Sequence, residues 1–75
     1  MQNNSVVRQG VTSSVLRSVG YDESLLILEI EFQNGNIYRY FDVPVGVRDA
    51  LLWARSKGQY FDAHVKFVYR CEKLR

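Results

Sequence analysis

The chain has 75 residues, a net charge of +2 and one cysteine. That length makes a single domain with a small core, since chains of this size bury only about 60% of the surface their unfolded forms expose. One cysteine excludes a disulfide framework, the small net charge gives no warrant for nucleic acid by itself, and no apolar stretch is long enough to span a membrane.

The lone thiol fits a reducing compartment, and the polar opening from Met1 to Gly10 lacks the apolar run of a signal peptide; a cytoplasmic protein is expected. The distribution of charge says more than its sum. Residues 1–47 hold three arginines against five acids, and residues 48–75 hold seven bases against three acids, so the C-terminal third attracts anions.

Residues 1–12 mix Gln, Asn, Ser and Gly without pattern and are expected to form a flexible arm. Ser13 to Tyr21 is a candidate strand, with Val15, Val19 and Tyr21 on one face, Arg17 as an interruption, and Gly20 marking a bulge or a close approach by a neighbouring backbone. Asp22-Glu23-Ser24 reads as a turn. Leu25 to Phe32 alternates well, with Leu26, Leu28, Ile30 and Phe32 on one side and Ile27, Glu29, Glu31 and Gln33 on the other.

A third strand runs from Asn36 to about Val43, and the Asn34-Gly35 signal between the two allows two registers. A two-residue turn would put Phe32 opposite Ile37 and seat Arg39 beside Ile30 in the core. A three-residue turn, with Gly35 left-handed, would put Ile30 opposite Tyr38, Leu28 opposite Tyr40 and Glu29 opposite Arg39. A one-residue slip flips the whole strand. The second register is favoured, because it buries no arginine and makes an opposite-charge cross-strand pair.

Pro44 can open a helix, and Val47, Ala50, Leu51 and Ala54 recur at helical spacing, so a helix is expected from Pro44 to about Lys57, stopped by Gly58. Residues 59–75 are ambiguous: Phe61, Val65 and Val68 have helical spacing, while Val65, Phe67, Tyr69 and Cys71 alternate like a strand. With Asp62 as a cap, a helix to about Tyr69 and a frayed basic tail are preferred.

A set of residues in this order resembles the KTSC domain, a small family found at the C-terminus of some lysyl-tRNA synthetases and alone in bacterial and phage proteins. The set comprises Ser13-Ser14, Gly20-Tyr21-Asp22, Leu28 to Phe32 with Gly35, and the central Tyr38-Arg39-Tyr40. It continues through Val43-Pro44, Ala54, Ser56, Gly58, Tyr60, Phe61 and Val65. Trp53, His64 and the tail beyond Arg70 stand outside that pattern. The resemblance implies an RNA-binding role through the synthetase context.

Several residues are candidates for chemistry. Tyr38 and Tyr40, with Arg39 between them, are either rings on an open sheet face that stack on bases or rings packed on Leu28 and Ile30 with hydroxyls at the core's edge; the second register favours packing. Trp53, off the apolar helix stripe and near Arg48, Arg55 and Lys57, suits a protein or nucleic-acid contact. Ser56-Lys57-Gly58 with Gln59-Tyr60 is the best anion candidate, since a glycine turn exposes N–H groups and Arg55 and Lys57 supply charge. It lacks phosphate-loop spacing, and a plain helix stop is the favoured reading.

His64 has no second histidine to join and reads as partly buried and structural. Cys71 has no evident activating base. Glu29 and Glu31 stand about 7 Å apart on one strand face, but Glu29 is expected to pair with Arg39. No metal or cofactor is expected, and no enzyme.

The fold expected is α+β, a three-stranded antiparallel β-meander with one or two C-terminal helices packed on one face. Residues 13–70 form the domain, 1–12 the arm and 71–75 the basic tail. Its expected function is non-enzymatic RNA binding, with Arg55, Lys57, Lys66 and Arg70 on phosphates, Tyr38, Tyr40, Tyr60 or Trp53 as aromatic support, and Arg39 and Arg48 as further binding candidates. Two alternatives stand: a protein-interaction or self-assembly module using Trp53 and a sheet edge, and an oligomeric binder of a phosphorylated small molecule through Arg55 to Tyr60. A small core with a free edge makes a homo-oligomer expected.

Overall fold

The computed structural model describes residues 6–75. One antiparallel sheet runs in chain order: β1 (Arg8–Gly10), β2 (Leu16–Asp22), β3 (Ile27–Phe32), β4 (Ile37–Tyr40) and β5 (Cys71–Lys73). Helices α1 (Val45–Trp53) and α2 (Lys57–His64) lie between β4 and β5 in the chain.

The connection that sets the sheet's register is Gln33-Asn34-Gly35. Gly35 has φ +94°, a conformation that strains any residue with a Cβ. Around it, the Phe32 N–H donates to the Asn36 carbonyl at 2.9 Å and the Gly35 N–H to the Phe32 carbonyl at 2.9 Å. Ile30 therefore pairs with Tyr38, Leu28 with Tyr40 and Glu29 with Arg39. This is the register that keeps Arg39 out of the core, and it turns both tyrosines toward the helices.

The core gathers Leu16, Val19, Leu28, Ile30, Tyr40, Val43, Leu51, Phe61 and Val65. Each large aliphatic side chain buried there contributes about 1.5–3 kcal/mol. On β2 the alternation expected from Val15 is out of phase. A register shift between Leu16 and Ser18 sends Leu16 and Val19 inward and leaves Val15 and Arg17 exposed. A bulge adds one residue to one strand, so simple period-two counting fails across it. Gly20 marks the other device: a Cβ there would lie 2.6 Å from the Val7 carbonyl oxygen, so only glycine permits β1 to approach.

Five strands replace the three expected. The arm contributes β1, which pairs Arg8 with Gly20 and Gly10 with Ser18; residues 1–5 of that arm lie outside the described residues. The tail contributes β5, which pairs Tyr38 with Lys73 and Tyr40 with Cys71. Both are three residues long and largely exposed, so neither carries an alternating pattern. They are strands because β2 and β4 present unpaired backbone groups that must be satisfied.

The helices also depart from expectation. α1 ends at Trp53, with Ala54 already extended, rather than at Lys57. Gly58 is not a stop; it sits in the first turn of α2, where Ser56 Oγ accepts from the Gln59 N–H and caps the helix. Asp62 is mid-helix, not a cap, and α2 ends at His64 instead of continuing to Tyr69. Phe61 and Val65 are buried as the helical spacing predicts, but Val68, the third residue of that spacing, is 60% exposed because the helix has ended before it.

The face of the sheet away from the core is polar and tied together. Glu29, only 3% exposed, accepts from Arg8 and from Arg39 Nε, the latter at 2.7 Å. Beside it, Ser18 Oγ donates to Glu31 at 2.8 Å and accepts from Arg8 Nε at 3.1 Å.

Candidate nucleic-acid interface

On the helix side of the sheet, β4, α2 and the segment after α2 enclose a cleft of about 460 Å³. Phe32, Tyr38, Tyr40 and Cys71 come from the sheet, Phe61 and Asp62 from α2, and Lys66, Phe67 and Tyr69 from the segment that returns to β5. The aromatic wall is a connected set. Tyr38 and Tyr40 stack at 6.3 Å between centroids; Phe32 meets Tyr38 at 5.9 Å and Phe61 at 5.3 Å edge to face; Phe61 meets Tyr40 at 5.5 Å. Such offset and edge contacts fix ring planes and add to the apolar burial.

The rim is polar. Asn34 and Asn36 stand at the turn end, with Asn34 Oδ1 accepting from the Asn36 N–H at 3.0 Å. Phe67 is 93% exposed at the mouth, with Lys66 Nζ 5.2 Å from its ring centre. Burial pushes the Tyr40 hydroxyl well above its ordinary pKa, reinforced by the neighbouring Cys71 and Tyr38. Tyr40 is thus a neutral phenol at physiological pH.

A second basin of about 400 Å³ adjoins the first, because Val15 and Asp62 line both. Thr12, Ser13, Ser14, Arg55, Ser56, Lys57, Gly58 and Gln59 complete it. Two local devices build it. Ser13 Oγ accepts from the N–H groups of Val15 and Leu16 at 3.1 Å, shaping the loop before β2. Ser56 caps α2, and Lys57 Nζ donates to the Ala54 carbonyl at 3.3 Å. The loop seats closely on the helix start, since a Cβ on Gly58 would lie 2.9 Å from Val15 Cγ2.

The candidate residues from the sequence divide between these sites and the rest of the molecule. Tyr38, Tyr40 and Lys66 line the aromatic cleft; Arg55, Ser56, Lys57 and Gly58 line the basin. Arg39 lies in the ion-pair network on the opposite face. Arg48 pairs with Asp49 at 2.6 Å and covers the Tyr21 ring at 4.9 Å. Arg70 lies 4.3 Å over Phe41, and Tyr60 packs its ring on His64 at 4.4 Å. Trp53, 87% exposed, lines neither cavity. His64 is exposed rather than partly buried, because its position falls on the outer side of a short helix.

Sequence reasoning passed over Phe32, Phe61, Asp62, Phe67 and the Thr12-Ser13-Ser14 loop as site residues. Phe67 next to Lys66, an aromatic beside a base in a polar segment, was the one signal available for them. The others are joined only by the return of the chain after α2. Among the described residues no cluster of three or more His, Cys, Asp and Glu is placed to hold a metal, and no helix is long and apolar enough to cross a membrane.

The KTSC domain family model matches residues 12–69. An uncharacterised protein from Stutzerimonas stutzeri is 51% identical over 55 residues, covering 73% of this chain and 78% of that protein. A lysine–tRNA ligase from Nostoc punctiforme is 39% identical over 61 residues, 81% of this chain. That match spans only 11% of the ligase. The crystal structure of a KTSC domain protein from Yersinia pestis superposes with a TM-score of 0.88 at 38% identity, covering 95% of this chain and all of that one. By family match, relatives and fold together, the chain belongs to the KTSC domain family.

Proposed function

We propose that this domain binds single-stranded RNA in the cytoplasm and does not catalyse a reaction. The observation that carries the reading is the continuity of the aromatic cleft with the hydroxyl- and base-lined basin across Val15 and Asp62. Single-strand binders join these two chemistries: rings that stack on bases and a positive groove that follows the backbone. In this arrangement a base enters against Tyr38 and Phe67, with Tyr40 backing Tyr38 from the core, and the neighbouring phosphates meet Arg55, Lys57 and the Ser13 and Ser14 hydroxyls. The similarity to proteins named lysine–tRNA ligase adds support, since that name specifies an RNA substrate.

Titration of a labelled single-stranded RNA between about 20 and about 200 mM salt tests this. With Arg55 and Lys57 on phosphates, log affinity against log salt has a slope of about −1.4. Tyr38→Ala weakens binding about tenfold or more, the loss of one stacked base. Absence of binding at the lowest salt, or binding indifferent to salt, overturns the reading.

A second reading, self-association, rests on Trp53, whose ring is 87% exposed at the end of α1 and away from both cavities. Sedimentation equilibrium decides it: a strict monomer at high concentration ends that reading, and a dimer lost in Trp53→Ala supports it.

A further inference from the structure

Stacking does not choose among bases, because every base has a π-face. Choice comes from the polar groups at the rim of the aromatic cleft, and the two charged ones are Asp62 and Lys66. They stand four residues apart, Asp62 within α2 and Lys66 two residues past its end, where the Lys66 N–H donates to the Phe61 carbonyl at 3.0 Å. None of the ion pairs among the described residues includes either. Asp62 has no hydrogen-bond partner there either. The cleft thus carries in its lining both a carboxylate, which only accepts, and an ammonium, which only donates.

We infer that the cleft selects guanine; this rests on the single-strand reading above. Guanine alone among the four RNA bases offers two adjacent donors, N1–H and the N2 amino group, next to the acceptors O6 and N7. Asp62 accepts from the donor pair and Lys66 donates to the acceptor edge. Adenine and cytosine offer one amino group beside a ring nitrogen whose lone pair a carboxylate repels. Uracil offers a single N3–H between two carbonyls, so Asp62 disfavours it most.

The test uses the full chain and heptamers of uridine with a central guanosine, adenosine, cytidine or uridine, titrated by fluorescence anisotropy at one low salt concentration. The guanosine heptamer is expected to bind about tenfold tighter than all-uridine, the size of one good bidentate base contact. Asp62→Asn supplies one acceptor and one donor, and is expected to bring that ratio below about threefold while all-uridine binds as well or better. Asp62 is exposed and unpaired, so the variant should melt with the parent. Equal binding of all four heptamers by the parent, or an intact guanosine preference in Asp62→Asn, overturns the inference and leaves single-strand binding standing. Failure of every heptamer to bind overturns both.

Discussion

Tyr40 shows what one residue's environment does to the whole chain's response to pH. Its ring is buried with Leu28, Val43 and Phe61, and burial raises its hydroxyl pKa well above 10. Tyr21 is raised as well, mainly by burial, with its hydroxyl donating to the Val43 carbonyl at 2.5 Å. In the unfolded chain both hydroxyls lose protons near pH 10, while the folded chain holds them. The unfolded state then binds fewer protons, so stability is complete below about pH 10 and falls as pH rises beyond it. Urea midpoints taken from about pH 8 to about pH 11 should decline only over the upper part of that range, and Tyr40→Phe should make the decline shallower. An unchanged profile in the variant would assign the alkaline loss to other groups. At this scale much was legible: Glu29 opposite Arg39, and the Asp22 turn, where the carboxylate accepts from the Ser24 and Leu25 N–H groups at 3.0 and 3.1 Å.

At the scale of elements, β1 is held by two features that are far apart in the sequence. Gly20 lets the Val7 backbone approach, and Glu29 binds the Arg8 side chain to the sheet's outer face together with Arg39. Removing the charge at Glu29 takes away a carboxylate that both Arg8 and Arg39 bind. Glu29→Gln should therefore cost about 3 kcal/mol in urea unfolding. It should also raise amide exchange across the pairs of Arg8 with Gly20 and Gly10 with Ser18 before exchange rises elsewhere. Equal protection of β1 in the variant would show that backbone pairing alone holds it. The composition of residues 1–12 gave no hint of this, because a three-residue edge strand has no periodicity to detect. The α1–α2 break was hidden for a different reason: Ala54 to Gly58 contains good helix formers, and only the Ser56 cap and the extended Ala54 mark the interruption.

Across the whole molecule, β5 closes the sheet and completes the candidate site together. Ile37 exchanges bonds with Leu74 and Arg75, donating to the Arg75 carbonyl at 2.6 Å and accepting from the Leu74 N–H at 2.7 Å. Cys71, opposite Tyr40, lines the aromatic cleft. Deleting residues 71–75 should lower stability by about 2–3 kcal/mol, the sum of several net backbone bonds. It should weaken RNA binding in the same protein, because β4 loses the neighbour that fixes Tyr38 and Tyr40, and it exposes a new sheet edge. Thermal denaturation and RNA titration read the two effects; a stable truncated chain with full affinity would remove β5 from the site.

Local residues suffice for the family resemblance, the α+β class and the central hairpin, and they favour the register that turns Tyr38 and Tyr40 inward. Each of these rests on local chemistry: a glycine that alone tolerates φ +94°, a strict alternation, and the cost of burying Arg39. That the arm and the tail are strands, that Arg8 joins Arg39 on Glu29, and that Tyr38 and Tyr40 share one cleft with Phe61 and Phe67 emerges only from the assembled fold. Those outcomes depend on which backbone edges remain unpaired and on where the chain returns after α2. Both are properties of the assembled sheet, and no short window of residues carries them.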